Sequence, residues 1–265
     1  MDRKIIDYME QNEDLEGLSS VIRSKKHPEM RIEAIKALAN LSQTSARSLL
    51  LELLSDEEDP QIRLLCAQIL GKRKDEKAIP ALHHSLKDEN AAVRAYSAGA
   101  LAKLKKTKSV RPLLNLLKDP QISVRKHAVI ALGEIRDDQA LDRLIPLLND
   151  ESDQIKVVTA KAIGRIGGEK ALQALTPLLS EKNDKVLKAV LEGLGRVGGA
   201  PVENLLEDFV ARTASDPLKS LAIEILERLE RKKTPMAQKK AGRSSRELAE
   251  EYESILEQLK HAGQQ

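Results

Sequence analysis

The sequence predicts an all-α protein that is built as an α–α superhelix, a solenoid of two-helix repeats. A β-branched residue followed by a basic residue recurs about every 31 residues. It occurs at 62–63, 93–94, 124–125 and 155–156. A step to a small residue, such as Leu70-Gly71 or Leu132-Gly133, follows each of them eight or nine residues later. A fixed period in this range is typical of stacked two-helix units rather than of one globular core.

The composition agrees with such a stack. Hydrophobic residues make up 41% of the chain but aromatic residues only 2%, so the core must consist of Leu, Ile, Val and Ala. The net charge of +3 predicts neither a nucleic-acid nor a membrane partner for the chain as a whole. The chain has one cysteine, Cys66, and no apolar run of about 18 residues that could cross a bilayer. We therefore expect a cytoplasmic location.

The repeat at 77–105 illustrates how one unit is built. The apolar residues of its first helix have helical spacing: Ile79, Leu82 and Leu86. A polar break at 88–90 ends that helix and caps the next one. The second helix has one stripe of apolar and small residues: Val93, Ser97, Ala100, Leu101 and Leu104. Neither helix can bury its stripe alone, so each repeat must pack on the next.

The same pattern divides the chain into three parts. We predict a solenoid of about seven repeats at 1–230, with a capping helix at 1–11 and a first repeat at 14–42. The later outer helices are expected near 108–118, 139–149, 170–180 and 200–211. The matching inner helices are expected near 121–135, 152–166, 183–197 and 216–230. A basic flexible linker at 231–245 and a C-terminal amphipathic helix at 246–265 complete the chain.

These residues resemble the HEAT-repeat superfamily, and in particular its short subclass named after phycobilisome lyases. The shared pattern is Asp-x-x-x-x-Val-Arg-x-x-Ala-x-x-Ala-Leu-Gly, and it covers about 14–230. The resemblance implies a right-handed superhelix whose Val-Arg helices line the concave side. It also implies a polar ladder between repeats, which we interpret as structural. The ladder pairs are Asp88/Arg94, Asp119/Arg125 and Asp150/Lys156.

Membership of this superfamily does not by itself determine an activity. Deoxyhypusine hydroxylase resembles this fold but uses repeated His-Glu pairs, and none of the five histidines here is followed by Glu. HEAT-like DNA glycosylases rely on aromatic residues, which are scarce here. No residue set marks a bilin site, a phosphate loop, a nucleophile elbow or a metal site. The sequence therefore predicts that the protein is not an enzyme and needs no cofactor and no metal.

The concave side carries the candidate binding residues. Alignment of the repeats places the residue that directly follows each small-residue step in the groove. There are seven such positions, and five of them are basic. These five are Lys72, Lys103, Arg165, Arg196 and Arg228, whereas the other two are Asn40 and Glu134. The neighbouring positions are mixed: Gln68, Tyr96, His127, Ile130, Val158, Lys161 and Leu221. Such a surface favours another protein as the partner, bound through an acidic amphipathic segment.

The C-terminal helix has the chemistry of such a segment. Ser244 and Glu247 have the spacing of a capping box, and acidic residues surround one apolar stripe. The stripe is Leu248, Tyr252, Ile255, Leu256 and Leu259. This helix is expected to dock on the groove, to cap the last repeat or to bind a partner.

The function that the sequence favours is a non-enzymatic scaffold or adaptor that binds a helix or peptide in its groove, with a monomer as the default state. One alternative is an accessory subunit of a lyase-type enzyme that positions a substrate protein. The other is a nucleic-acid binder that contacts only the phosphate backbone, through the basic ridge formed by Lys72, Lys103, Arg165, Arg196 and Arg228. Its affinity for nucleic acid would fall as the salt concentration rises.

Overall fold

The fold is all-α, as predicted, and consists of two-helix repeats. In the computed structural model the described residues are 3–24, 26–41 and 44–233, and they form fifteen α-helices. The chain divides into two compact units, unit 1 at 1–197 and unit 2 at 198–265. The predicted C-terminal helix, and the predicted linker beyond Lys233, lie outside the described residues. Those two parts of the domain division remain predictions.

Unit 1 starts with α1 (Arg3–Gln11), which buries Ile6, and then alternates outer and inner helices. The outer helices are α2 (Leu15–Arg23), α4 (Thr44–Asp56), α6 (Ile79–Ser85), α8 (Val110–Asn115), α10 (Leu141–Leu144) and α12 (Glu169–Leu175). The inner helices are α3 (Pro28–Leu38), α5 (Pro60–Lys72), α7 (Ala91–Leu104), α9 (Ile122–Ile135), α11 (Asp153–Ile166) and α13 (Asp184–Val197). Asn90 caps α7 by accepting hydrogen bonds from the amides of Ala92 and Val93.

Unit 2 contains one helical hairpin in its described part. The two helices are α14 (Ala200–Arg212) and α15 (Asp216–Lys233), and they pack against each other. Leu206 and Phe209 of α14 are buried, as are Ala222 and Ile225 of α15. Helix α15 continues to Lys233, three residues beyond the end predicted from the sequence.

The outer helices of the middle repeats are shorter than the sequence predicted. After α10 and α12 the chain continues as 3-10 turns, at Ile145–Asn149 and Thr176–Ser180, each with a proline at its second residue. Proline lacks an amide donor, and its ring clashes with the carbonyl four residues back. The α-helix therefore gives way to a tighter turn at Pro146 and Pro177.

The inner helices approach one another at the small-residue steps. A methyl group on Gly71 would lie 2.6 Å from the Cα of Ala100, and one on Gly164 would lie 2.4 Å from the Cα of Gly193. Successive inner helices pack directly on each other from α5 to α13, whereas successive outer helices make few contacts. The inner-helix side is therefore the concave side of unit 1, and we refer to it as the inner face.

A polar ladder joins the turns of successive repeats, and each base pairs with the acid of the following repeat. Arg63 binds both carboxylate oxygens of Asp88, at 2.7 and 2.8 Å. Arg94 binds Asp119 in the same way and also donates to the backbone carbonyl of Asp88, at 2.7 Å. Each guanidinium thus connects two turns, which supports the structural interpretation of these charges.

The ladder weakens toward the C-terminal end of unit 1. Arg125 lies 3.9 Å from Asp150, and Lys156 is within ion-pair distance of Asp153 instead, at 3.5 Å. The predicted pair of Lys156 with Asp150 is therefore not formed. A lysine lacks the planar fork with which arginine binds a carboxylate and the turn carbonyls together. The predicted pairs of Arg94 with Asp88 and of Arg125 with Asp119 are not formed as ion pairs either, because each arginine binds the backbone carbonyl of that acid and reaches toward the carboxylate of the following repeat.

The ladder predicts how stability depends on pH. Burial alone would raise the pKa of Asp88, but hydrogen bonds from Arg63 and the Asn90 amide outweigh it, and the pKa is lowered. The pKa of Asp119 is lowered for the same reasons. A depressed carboxyl pKa adds stability above the unfolded value of about 3.9, and this is lost as the pH falls through the folded value. We expect the free energy of unfolding in urea to decline below about pH 4.

The Asp88→Asn variant provides the control for this prediction. It should be less stable than wild type at neutral pH, and its free energy of unfolding should fall less steeply in acid. Equal acid slopes for the two proteins would contradict the assignment of this dependence to the ladder.

Candidate binding surface on the inner face

The inner face presents three rows of side chains, because residues at i, i+3 and i+7 of each inner helix point the same way and the repeats are in register. The first row is Leu65, Tyr96, His127 and Val158. The second row is Gln68, Gly99, Ile130, Lys161 and Glu192. The third row is Lys72, Lys103, Glu134, Arg165 and Arg196. All of these residues except Gly99, Glu192 and Leu65 were predicted from the sequence to line the groove.

An open cavity of about 620 Å³ lies between α3, α5, α7 and α9. Six of the groove residues predicted from the sequence line it: Asn40, Gln68, Lys72, Tyr96, Lys103 and His127. Leu65, Ile69 and Ala100 supply apolar walls. A cavity with mainly apolar walls and a few convergent polar groups is the usual form of a binding site.

Gly99 keeps this cavity open. It lies between Tyr96 and Lys103 on the inner face of α7, where a side chain would fill the space. A methyl group there would meet only the Cδ2 atom of His127, at 3.7 Å. Glycine within a helix costs stability, and here its effect is to leave room above the apolar walls.

Tyr96 and His127 form an aromatic wall. Their ring centroids are 6.0 Å apart and the planes are tilted by 34°. The Nδ1 atom of His127 lies 2.7 Å from the carbonyl oxygen of Ser123, so this nitrogen carries the proton and donates. Tyr96 is 40% exposed, which is high for so large a side chain within a repeat, and its ring is available to a ligand.

Two lysines give the cavity its charge. Lys36 also lines it, but its ammonium group binds Glu33 at 2.7 Å and thereby lowers the pKa of that carboxyl. Lys72 and Lys103 are exposed and form no ion pair within the part of the chain that the structure describes. The cavity therefore presents two uncompensated positive charges, one from each of two neighbouring repeats.

In the C-terminal half of the inner face, acids of the same face pair with Arg165 and Lys161. Glu134 binds Lys105 at 2.9 Å and Arg165 at 3.1 Å. The hydrogen bond from Lys105, which outweighs burial, and the charge of Arg165 lower the pKa of Glu134. Lys161 likewise binds Glu192 at 2.9 Å. The basic ridge expected from the sequence is thus interrupted in unit 1.

The remaining predicted residues lie apart from the cavity. Ile130 is half-buried in α9, and Val158 lines a second open cavity of about 560 Å³ together with Lys126 and Asn183. Arg196 is exposed at the end of α13, and Arg228 is exposed on α15 of unit 2. The predicted docking residues 248–259 lie outside the described part of the chain.

The one cysteine, Cys66, has a structural rather than a reactive role. Cys66 is fully buried, and burial raises the pKa of its thiol, so the thiol stays protonated and unreactive. Across the described ranges of the chain, no three or more His, Cys, Asp or Glu side chains are grouped so that they could hold a metal ion. None of the helices described is sufficiently long and apolar to span a bilayer.

The family of the chain follows from its repeats. The family model for HEAT repeats matches residues 15–94, 82–156 and 141–227. The chain belongs to the HEAT-repeat family.

One curated relative is similar to part of this HEAT-repeat protein. It is the bilin biosynthesis protein MpeU of Synechococcus sp. strain WH8020, with 42% identity over 79 residues. The match covers 28% of this chain and 26% of the relative, so it spans about a quarter of the relative's length.

Solved structures share the fold of this HEAT-repeat protein. The complex of CpcE and CpcF of phycocyanin lyase from Nostoc sp. PCC7120 matches with a TM-score of 0.54 and 19% identity, over 80% of this chain and 93% of that one. The Escherichia coli protein YibA matches with a TM-score of 0.62 and 18% identity, over 84% and 85%. At these identities the likeness shows the fold alone.

The prediction that the protein is not an enzyme is contradicted by these findings. The curated relative is named for bilin biosynthesis, and one of the structures is named for phycocyanin lyase. The prediction rested on the lack of a familiar catalytic motif, and neither that lack nor the fold determines what a protein does.

Proposed function

We propose that this HEAT-repeat protein is a lyase-associated subunit that holds a segment of an acceptor protein on its inner face. The observation that carries the proposal is the cavity between α3, α5, α7 and α9, where an aromatic wall and apolar side chains lie beside two unpaired lysines. The relative MpeU, which is named for bilin biosynthesis, supports an association with bilin chemistry. In this view the repeats bind and orient the acceptor while a bilin is attached to it.

A protein segment fits this face better than a small molecule alone. Six inner helices, at about 8–10 Å spacing, give unit 1 an inner face roughly 40–50 Å long. The mostly apolar and aromatic first row runs parallel to the charged third row, as in surfaces that bind an amphipathic helix in a groove. The cavity is then the anchoring point within a longer contact.

Nucleic acid is disfavoured by the carboxylates on the same face. Glu33, Glu134 and Glu192 lie among the bases, and each of them holds a basic side chain. A phosphate backbone would have to displace these acids, whereas a protein segment can place charges of both signs to match.

Charge reversal of the two cavity lysines tests this function. The Lys72→Glu/Lys103→Glu variant should bind an acceptor phycobiliprotein subunit about tenfold more weakly, because two attractive contacts become repulsive. The yield of covalently attached bilin in a reconstituted lyase reaction should fall with it. Biolayer interferometry with immobilised apo-subunit measures the first effect, and bilin fluorescence of the denatured subunit measures the second.

Lys77→Glu/Lys108→Glu is the matched control. These lysines are also exposed and 31 residues apart, but they lie in the outer layer. This variant should bind and support attachment as wild type does. Failure of apo-phycocyanin and of other apo-phycobiliprotein subunits to associate with the wild-type chain at about 100 μM would remove the proposed function.

A further inference from the structure

The cavity constrains the chemistry of its partner beyond the proposed function, on which the following inference rests. We infer that the recognised segment is an α-helix with two carboxylates seven residues apart on one face and apolar side chains between them. The helix crosses α5 and α7, so that one carboxylate meets Lys72 and the other meets Lys103.

The spacing follows from the two repeats that supply the lysines. Lys72 and Lys103 hold equivalent positions on α5 and α7, and both line the same cavity. The contact of Gly71 with Ala100, where an added methyl would lie 2.6 Å from a backbone atom, holds these helices at the close end of the usual range of about 8–10 Å. Carboxylates seven residues apart on a helix are separated by about 10 Å and point the same way.

The apolar requirement follows from the walls beside the lysines, where Ile69 and Ala100 precede Lys72 and Lys103 by three residues and Leu65 and Tyr96 precede them by seven. Tyr96, Leu65 and Ile69 border the space that Gly99 leaves open. Side chains three and four residues after the first carboxylate lie on the same side of a helix and between the two acids. Leu or Met at these positions would enter the cavity and bury apolar surface, which supplies the main part of the binding free energy.

The charge pattern ends after two repeats. The next residue of the row is Glu134, which is already bound by Lys105 and Arg165. On the other side, the equivalent position is Asn40, whose amide binds Glu10 at 2.6 Å. A third carboxylate at either end would gain no free base, so the surface selects a pair of acids rather than a long acidic run.

Two fluorescein-labelled helical peptides of identical composition test the inference with the full chain. One carries Glu residues seven apart with two Leu between them, and its isomer has the second Glu moved to the opposite side of the helix. By fluorescence anisotropy the first peptide should bind about fivefold more tightly, as expected for the gain of one exposed ion pair. Equal affinities for the isomers, or no binding of either peptide, would overturn the inference.

Exchange of the charges between peptide and protein tests whether Lys72 and Lys103 are the lysines that bind the carboxylates. The peptide with Lys in place of both Glu should bind Lys72→Glu/Lys103→Glu more tightly than it binds wild type, whereas Lys77→Glu/Lys108→Glu should behave as wild type. Absence of this rescue would overturn the inference. The inference would also be overturned if heparin displaced the labelled acidic peptide at concentrations as low as those of the unlabelled peptide.

These results separate the inference from the proposed function. If the isomers bind equally while an acceptor phycobiliprotein subunit still requires Lys72 and Lys103, the spacing is wrong and the function stands. If the peptides are discriminated and no phycobiliprotein subunit associates, the inference holds and the lyase-associated role fails.

Discussion

Replacement of Gly164 by alanine should lower the free energy of unfolding by about 3 kcal/mol, as expected for overpacking where the neighbours cannot move. The added methyl would lie 2.4 Å from the Cα atom and 2.5 Å from the carbonyl oxygen of Gly193. Both are backbone atoms of the next inner helix, so α11 and α13 would have to separate. Urea denaturation followed by far-UV circular dichroism measures the change.

The same substitution at Gly99 should have the opposite sign. Its methyl would meet only His127, at 3.7 Å, which is ordinary contact. Alanine in place of glycine within a helix stabilises by about 0.5–1 kcal/mol, since it restricts the unfolded chain. Gly99→Ala should therefore raise the urea midpoint and, by narrowing the cavity, weaken binding of the acceptor. Changes of the same sign at the two glycines would contradict the close-approach argument.

Replacement of Arg63 by alanine should lower the free energy of unfolding by about 3–5 kcal/mol, which is the usual range when one partner of a buried ion pair is removed. Only 8% of the Arg63 side chain and 10% of the Asp88 side chain are exposed. The substitution leaves Asp88 buried without its partner, and the carbonyls of Glu57 and Glu58 lose the donor that now binds them at 2.8 and 2.9 Å. Chemical denaturation at neutral pH measures the loss.

Two comparisons make this second prediction specific. Arg125→Ala likewise removes a hydrogen bond to a turn carbonyl, that of Asp119 at 3.0 Å, but its ion pair is only a 3.9 Å contact, so it should lower the free energy of unfolding less, by about 1 kcal/mol. Arg63→Met/Asp88→Leu replaces both charges by apolar groups and should recover much of the stability lost in Arg63→Ala. If Arg63→Ala were as stable as Arg125→Ala, the ladder could not be the main connection between these turns.

The regular parts of the fold were predictable because each helix repeats one local pattern. The inner helix expected near 121–135 is α9 (Ile122–Ile135), and the one expected near 152–166 is α11 (Asp153–Ile166). The outer helices were predicted less well. Pro146 and Pro177 convert their second halves into 3-10 turns, and an apolar spacing of three or four residues does not distinguish the two kinds of helix.

The candidate site was predictable in position and not in charge. The period of 31 residues located Lys72, Tyr96, Lys103 and His127, which line one cavity. Their gathering required only that the repeats stack in register. Leu65, Gly99 and Glu192 hold equivalent positions but were not predicted, although each lies 31 residues from a predicted member of its row.

The sequence by itself determined the repeat architecture and which residues face the groove, since both follow from a period that every repeat shares. Only the tertiary structure decided which charges are free. Glu134 forms ion pairs with two bases from neighbouring repeats. One is Arg165, and the other is Lys105, which caps the C-terminus of α7 in a left-handed backbone conformation. Ion pairing depends on distances between side chains of different helices, and a repeat period in the sequence does not specify these distances. In the folded protein they leave Lys72 and Lys103 as the unpaired charges of the cavity.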